Sequence, residues 1–517
     1  MANTTTLFAL LCFLLLLLLS KTANGDAHIL ETNTTNRNAT RPRPPWPPGI
    51  HFHTVQLPSL FPSNTCRPSP SISKDGLESK GAILPVLHLH GPCAQAQQQQ
   101  QQHKPTADET LRQDESRVKT IQSRYRNAVA GADDVSVMKD SSTTIPAKDG
   151  ATLGGANYFV TVGVGTPAQQ QSLIFDTGSD LTWTQCQPCV RSCYKQQEKI
   201  FDPSSSASYR NVSCSSASCS ALASATSMFH SIIGILINQV RIKPGCSSST
   251  CVYGIQYGDS SYSVGFYGTE KITLTTSTGG VFNNFFFGCG QNNQGLFRGT
   301  AGLLGLGRDK VSFVSQTARK YRKRFSYCLP STSSDTGFLT FGGGASTTKS
   351  VKYTPLSASS AGTSFYGLDI TAISVGGQKL PISATVFSTA GGVIDSGAVI
   401  SRLPPAAYSA LRSAFRQQMS SYPLGKPRSI LDTCYDFSSY DVVSVPGISF
   451  FFAGGVEVEI GAVGILYGFS ISQVCLAFKG NDDASEVAVF GNVQQRTMEV
   501  VYDGARGRVG FAGGGCN

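Results

Sequence analysis

Charge is scarce in this 517-residue chain: Asp, Glu, Lys and Arg make up 14% of it, while Gly alone supplies 53 residues among runs of Ser, Thr and Val. That balance suits a β-rich globular protein long enough for two or more domains with sizeable cores. No stretch after the first twenty residues is apolar enough to span a bilayer, which argues against a membrane-embedded body. The C-terminal RVGFAGGGCN has none of the apolar tail of a lipid-anchor signal. The apolar run Leu7 to Leu19 is short for a membrane span and ends in small residues around Thr22 to Gly25. It reads as a secretory signal over 1–25, although no Lys or Arg precedes it; an uncleaved anchor is the alternative.

Cysteine usage agrees with export. Of 15 Cys, twelve lie from Cys186 onward: Cys186, Cys189, Cys193, Cys214, Cys219, Cys246, Cys251, Cys289, Cys328, Cys434, Cys475 and Cys516. An even number in an oxidising compartment predicts about six disulfides, with connectivity left open by spacing. A zinc reading of the Cys-x-x-Cys at 186–189 needs four ligands in a reducing setting, so no metal is expected.

Residues 26–145 differ in composition from the rest of the chain. A Pro-rich stretch (Arg41 to Pro48), a glutamine tract (Gln97 to Gln102) and sequons at Asn33 and Asn38 predict a largely disordered segment that cannot bury a core. Within it, DETLRQDESRVKTIQSRYR sets Leu111, Val118, Ile121 and Tyr125 on a helical stripe with basic residues between them. A basic helix ahead of a domain that works with carboxylates suggests a pro-segment lying over an acidic site. A solvated linker helix is the equal alternative.

From Thr144 the texture becomes that of strands. NYFVTVGVGTPAQQQSLIFDTGSDLTW reads as strand, turn, strand, with Asp176 ending the second strand. YGLDITAISVGGQKL and then GGVIDSGAV repeat the plan and deliver Asp395, 219 residues later. Each copy is followed by two apolar residues and Gly: Leu303, Leu304, Gly305 in the first, Val489, Phe490, Gly491 in the second. The repeat is therefore a half-molecule, with an N-terminal β lobe over 146–345 and a C-terminal β lobe over 346–517.

Two carboxylates brought face to face share one proton, and their pKa values split. One then acts as general base on a water while the protonated one donates to a carbonyl oxygen, with neither metal nor cofactor required. Thr177 and Ser396, followed by Gly178 and Gly397, let the two turns approach, and their hydroxyls can brace one another.

FDTGSDLTW, YGDSSYSVGFYGTEKITL, GLLGLGR, VIDSGAVISRLPPAAY and VFGNVQQRTMEVVYD together resemble the pepsin-fold aspartic proteases, and within them the cysteine-rich nepenthesin-like enzymes of plants. The resemblance runs from about Asn157 to Gly510, and LPVLHLHGPCA extends it into the pro-segment. It implies an all-β-dominated fold of two similar lobes with a cleft between them and Asp176 and Asp395 as the catalytic pair. It also implies Tyr257 on a flap with Trp183 as its hydrogen-bonding neighbour, and inhibition by pepstatin-type compounds. The expected protein is a secreted, monomeric endopeptidase acting on peptide or protein substrates at acid pH, in the apoplast, with vacuole or plastid as alternatives. A pepsin-fold binding or inhibitor protein is the second reading, and a plastid nucleoid-type DNA-binding protease a third.

Four features stand apart. MFHSIIGILINQVRIK (Met228 to Lys243) interrupts a Ser/Cys loop with an unpatterned apolar run and reads as a gene-model artefact. The run Arg308 to Phe325 carries seven Lys/Arg against one Asp; a surface helix with a solvated basic face is expected. Polyanion binding through Arg319, Lys320, Arg322, Lys323 and Arg324 is the sharper alternative. Asn211-Val-Ser is the sequon of the lobes, expected exposed and glycosylated. Finally, Ser179 follows the first Asp-Thr-Gly but Ala398 follows the second Asp-Ser-Gly. A missing hydroxyl donor should leave Asp395 the harder of the two to ionise and move the acid limb of activity toward less acidic pH.

Overall fold

The computed structural model of the chain describes residues 51–67, 81–95, 106–129, 158–224, 244–257, 261–274, 280–295, 297, 299–342 and 351–513. The leading apolar run, the Pro-rich and glutamine tracts, Asn33, Asn38, the 228–243 run and Cys516 lie outside them.

Both halves are built on one plan, mostly β. In the first, the hairpin Tyr158–Val164 and Gln169–Asp176 carries Asp176 at its end, and Gly302–Gly305 lies parallel to it with Gly305 opposite Asp176. In the second, Gly392–Ile394 lies parallel to Ala488–Phe490, with Ile394 opposite Phe490 just before Asp395. A third strand pairs antiparallel with one strand of each: Trp183–Gln185 with Gly302–Gly305, and Ser401–Leu403 with Ala488–Phe490. The apolar-apolar-Gly signal follows from how closely these elements approach. A Cβ on Gly305 would collide with the Asp180 carbonyl, and one on Gly491 would sit 2.7 Å from that of Val399. Only glycine lets the strand pass beneath the loop after each Asp.

The halves are joined by a sheet that takes strands from both. Its order is Lys352–Pro355, Arg508–Gly513, Met498–Asp503, Arg324–Cys328, Gly337–Phe341 and Ala82–His88. The face of this sheet stacks Phe325 on Tyr502 at 4.4 Å, and Tyr327 shares a hydrogen bond with Tyr502 at 2.9 Å.

The last strand of that sheet comes from the segment whose composition predicts disorder. Ala82–His88 pairs antiparallel with Gly337–Phe341 and then with Tyr158 and Phe159, burying Leu84 and Val86 completely. Phe52–Gln56 likewise pairs with Val442–Pro446, and Cys66–Cys93 ties the two parts together. Such segments build no core of their own. They bury short apolar runs by adding strands to sheets that other residues have made, which composition alone does not reveal.

Ala107–Val129 forms a 23-residue helix with Leu111, Val118, Ile121 and Tyr125 all buried. Thr106 and Glu109 cap its start reciprocally: the Glu109 amide donates to the Thr106 hydroxyl, and the Thr106 amide to the Glu109 carboxylate. Leu111 enters a C-terminal-half cluster with Val399, Ile400 and Leu431, while Val118, Ile121 and Tyr125 pack with Phe365, Val393 and Ala398.

Disulfides join Cys186–Cys289, Cys189–Cys193, Cys214–Cys246, Cys219–Cys251 and Cys434–Cys475, and Cys328 is also disulfide-bonded. The basic run forms no single surface helix. Phe313–Gln316 and Ala318–Tyr321 are single turns, ended by Arg322 and Lys323 at φ 53° and 54°, before Arg324 enters a strand.

Candidate active site

The two Asp-Ser/Thr-Gly turns meet back to back. The Ser396 amide donates to the Thr177 hydroxyl at 2.9 Å, and the Thr177 amide donates to the Ser396 hydroxyl at 3.1 Å. Each hydroxyl satisfies a buried N–H of the opposite half, so the brace fixes one turn against the other. Gly178 and Gly397 let the carboxyls come close: a Cβ on Gly178 would lie 2.9 Å from Asp395 Oδ1, and one on Gly397 2.7 Å from Asp176 Oδ1. Each carboxylate accepts the amide two residues on, Gly178 at 3.0 Å and Gly397 at 2.9 Å.

The turns differ in one donor. The Ser179 hydroxyl donates to Asp176 Oδ2 at 2.6 Å, whereas Ala398, wholly buried, packs against Val118 and Ile121 of the long helix. Burial pushes Asp176 up, but the Arg117 charge and the Ser179 hydroxyl hold it below the usual carboxyl range. For Asp395, burial dominates, Arg117 pulls the other way, and the neighbouring Asp176 charge adds to burial; it stays above that range. Asp176 is therefore the easier of the pair to ionise, and Asp395 the harder.

Over both lies Arg117, from the middle of the long helix. Its Nη2 is 2.7 Å from Asp176 Oδ1 and 2.9 Å from Asp395 Oδ2, and its Nε donates to Asp395 Oδ2 at 3.2 Å. The Arg117 side chain is 15% exposed, and the two carboxylates hold its guanidinium charged against its burial. Further contacts fix the helix on either side. Asp114 accepts the amides of Val399 and Ile400 at 2.6 and 3.1 Å, and Arg124 donates to the Gly178 carbonyl at 3.1 Å. Arg402 bridges Asp114 and Glu115, each at 3.0 Å; Lys479 reaches Glu115 at 2.7 Å, and Arg428 meets Asp108 at 2.8 Å.

Tyr257 follows the strand Thr250–Gln256, which pairs with Tyr262–Leu274, and its amide donates to the Ser261 carbonyl at 2.8 Å. The fully buried Trp183 donates from Nε1 to the Tyr257 hydroxyl at 2.8 Å, and Phe297 packs edge-on against both rings. Asn211 is exposed, in a two-residue strand against Gly268 and Thr269.

Arg117, Asp114, Arg402 and Lys479 were not singled out by reading the sequence. Two signals for them are there. Asp114 falls on the helical spacing of Leu111, Val118 and Ile121, a charge on an apolar stripe. Arg402 falls two residues on from Ile400 and four from Ala398, a charge at the alternate position of an apolar run.

Two β halves that each present an Asp-Ser/Thr-Gly turn to a common cleft define the class, and the chain belongs to the pepsin-like aspartyl protease family. It is an aspartic-type endopeptidase. Residues 158–343 match the family model described as xylanase inhibitor N-terminal, and residues 365–513 the one described as xylanase inhibitor C-terminal. An aspartyl protease family protein of Arabidopsis thaliana is 58% identical over 467 residues, covering 90% of this chain and 93% of the relative. Aspartyl protease AED1 of the same plant is 49% identical over 469 residues, covering 90% and 93%. Aspartic proteinase nepenthesin-2 of Nepenthes gracilis is 36% identical over 359 residues, covering 68% and 76%. Among solved structures, edgp superposes with a TM-score of 0.57 at 18% identity, over 86% of this chain and 96% of that one, which bears on the fold alone.

The brace yields a direct prediction. Thr177→Val leaves the buried Ser396 amide without its acceptor, which should destabilise the chain by about 1–3 kcal/mol. An unchanged midpoint in chemical denaturation would contradict the cross-brace.

Proposed function

We propose that this chain is the secreted precursor of an acid endopeptidase whose catalytic pair is Asp176 and Asp395, held silent by the helix Ala107–Val129. The observation that carries the reading is the single guanidinium of Arg117 shared by both carboxylates where a water would have to sit. Once the helix leaves, Asp176 takes a proton from the water as its oxygen attacks the peptide carbonyl carbon, and Asp395 gives its proton to the carbonyl oxygen. Collapse of the tetrahedral species breaks the C–N bond, and a proton returns to the leaving amine. Tyr257, held by Trp183, closes over the substrate.

The docking contacts are of a kind that acid undoes. Burial pushes Asp176 up, but the Arg117 charge and the Ser179 hydroxyl hold it below its ordinary value, whereas burial keeps Asp395 above its own despite Arg117. Burial pushes Glu115 up, but Lys479 and Arg402 hold it below its ordinary value; the Arg428 hydrogen bond does the same for Asp108. Depressed carboxyls contribute docking energy above their ordinary pKa and lose it as the pH falls through the depressed value. The helix should therefore loosen in acid, where the pair becomes singly protonated and competent. The helix also fills the cleft with Leu111, Val118 and Ile121, which supports apolar residues flanking the cut.

An oxidising compartment fits the paired cysteines, and the exposed Asn211 fits glycosylation; the apoplast is the compartment proposed, ahead of vacuole or plastid. Arg319, Lys320, Arg322 and Lys323 are exposed, but Lys320 lies over the Phe282 ring and Arg324 donates to the Tyr353 hydroxyl, which favours a solvated face over a polyanion site. The inhibitor-protein reading has the wording of the family models behind it, while the complete pair of carboxyls favours the enzyme.

Asp395→Asn should abolish hydrolysis of a test peptide by the processed protein; wild-type turnover in that variant would end the reading. A second test addresses the missing hydroxyl. Asp176 ionises first, so the proton that Ala398→Thr makes easier to lose is the second. The shift then falls on the alkaline limb, not on the acid limb that the sequence alone suggests. A donor to a charged group is worth about 1.5–3 kcal/mol. At about 1.4 kcal/mol per pKa unit, the alkaline limb of kcat/KM should move down by about one unit. An unmoved profile in Ala398→Thr would contradict the asymmetry.

A further inference from the structure

The long helix leaves behind more than an empty catalytic pair. Arg402 and Lys479 are register partners on adjacent parallel strands, Ser401–Leu403 and Phe478–Gly480. Two cations side by side on one sheet repel unless an anion lies between them, and the helix supplies two. Asp114 and Glu115 each lie 3.0 Å from Arg402 Nη2, and Glu115 is 2.7 Å from Lys479 Nζ. The Arg402 side chain is only 2% exposed and is held in place by its Nη1, which donates to the Ile400 carbonyl at 2.8 Å.

The backbone completes the arrangement. The successive amides of Val399 and Ile400 donate to the two oxygens of Asp114, so one carboxylate is held by two N–H groups and a guanidinium at once. These are donors only: Asp114 accepts both amides, while Arg402 also donates to Glu115 and to the Ile400 carbonyl. Such a cradle recognises a carboxylate by charge and by bidentate geometry, and discriminates against an amide of the same shape. It lies four to seven residues beyond Asp395 in the chain and one helical turn from the Arg117 that covers the pair, about 4.5 Å along the helix axis.

We infer that Val399, Ile400, Arg402 and Lys479 form an anion-binding subsite of the cleft, which selects substrates carrying an Asp or Glu close to the scissile bond. The inference rests on the protease reading and adds a specificity to it. Asp114 is then the precursor's own occupant of the position that a substrate carboxylate takes. An extended substrate advances about 3.3 Å per residue, so the selected position lies within about three residues of the cut.

The test uses the full chain after acid activation and a peptide series with Asp or Asn placed in turn at each of several positions around one cleavable bond. The assay is kept at a pH where the Asp side chain is ionised. The quantity read is the ratio of kcat/KM for the Asp peptide to that for its Asn twin. At one position the wild type should favour Asp about tenfold, as charge-assisted hydrogen bonds do. Arg402→Gln should bring that ratio to about one, and Lys479→Gln, at a less buried position, should lower it several-fold. A merely structural role for either residue would depress both peptides together and leave the ratio alone. Cleavage without an Asp preference at any position, or a preference that survives both substitutions, overturns the subsite while the protease reading stands. Cleavage of no peptide overturns the protease reading, and the subsite with it.

Discussion

One guanidinium decides how this molecule is arranged. Two buried carboxyls at a common point cannot both be charged unless a cation lies between them, and Arg117 is that cation. Its presence fixes the register of the whole helix Ala107–Val129. With Arg117 over the pair, Leu111 falls into the apolar cluster of Val399 and Leu431, Asp114 onto the amides of Val399 and Ile400, and Ile121 and Tyr125 onto Phe365. The segment ahead of the helix is held independently, as strands in two sheets, so the helix is tethered at one end by structure that does not depend on charge.

The two halves are copies that have diverged where they meet the helix. The first half keeps Ser179 as a donor to its carboxylate. The second half gives up that donor at Ala398 for an apolar contact with Val118 and Ile121, and it carries the cationic pair that holds Asp114 and Glu115. The easier ionisation thus falls to Asp176, and the cationic pair to the half that holds Asp395.

The duplicated plan was legible in the sequence because it repeats: strand, Asp-Ser/Thr-Gly, then apolar-apolar-Gly, twice. The glycines were legible because a Cβ at Gly305 or Gly491 has nowhere to go. The stripe of Leu111, Val118, Ile121 and Tyr125 announced a helix with one buried face, but not which of its several basic residues meets the carboxyls. That choice depends on where the first turn of the helix is seated, a long-range fact. The strand Ala82–His88 was hidden for a related reason: a short apolar run in a polar segment folds only because a sheet edge made by distant residues accepts it. Arg402 gave a signal, a charge at the alternate position of an apolar run, whose meaning needed its partners.

The most direct measurement of the account is hydrogen exchange of residues 107–129 in the intact chain as a function of pH, for the wild type and for Arg117→Met. The account predicts a wild-type helix protected near neutral pH that loses protection in acid. In the variant, two buried carboxyls lose their counterion, and protection should already be weak near neutral pH. Equal protection of the helix in both proteins across the pH range would contradict it.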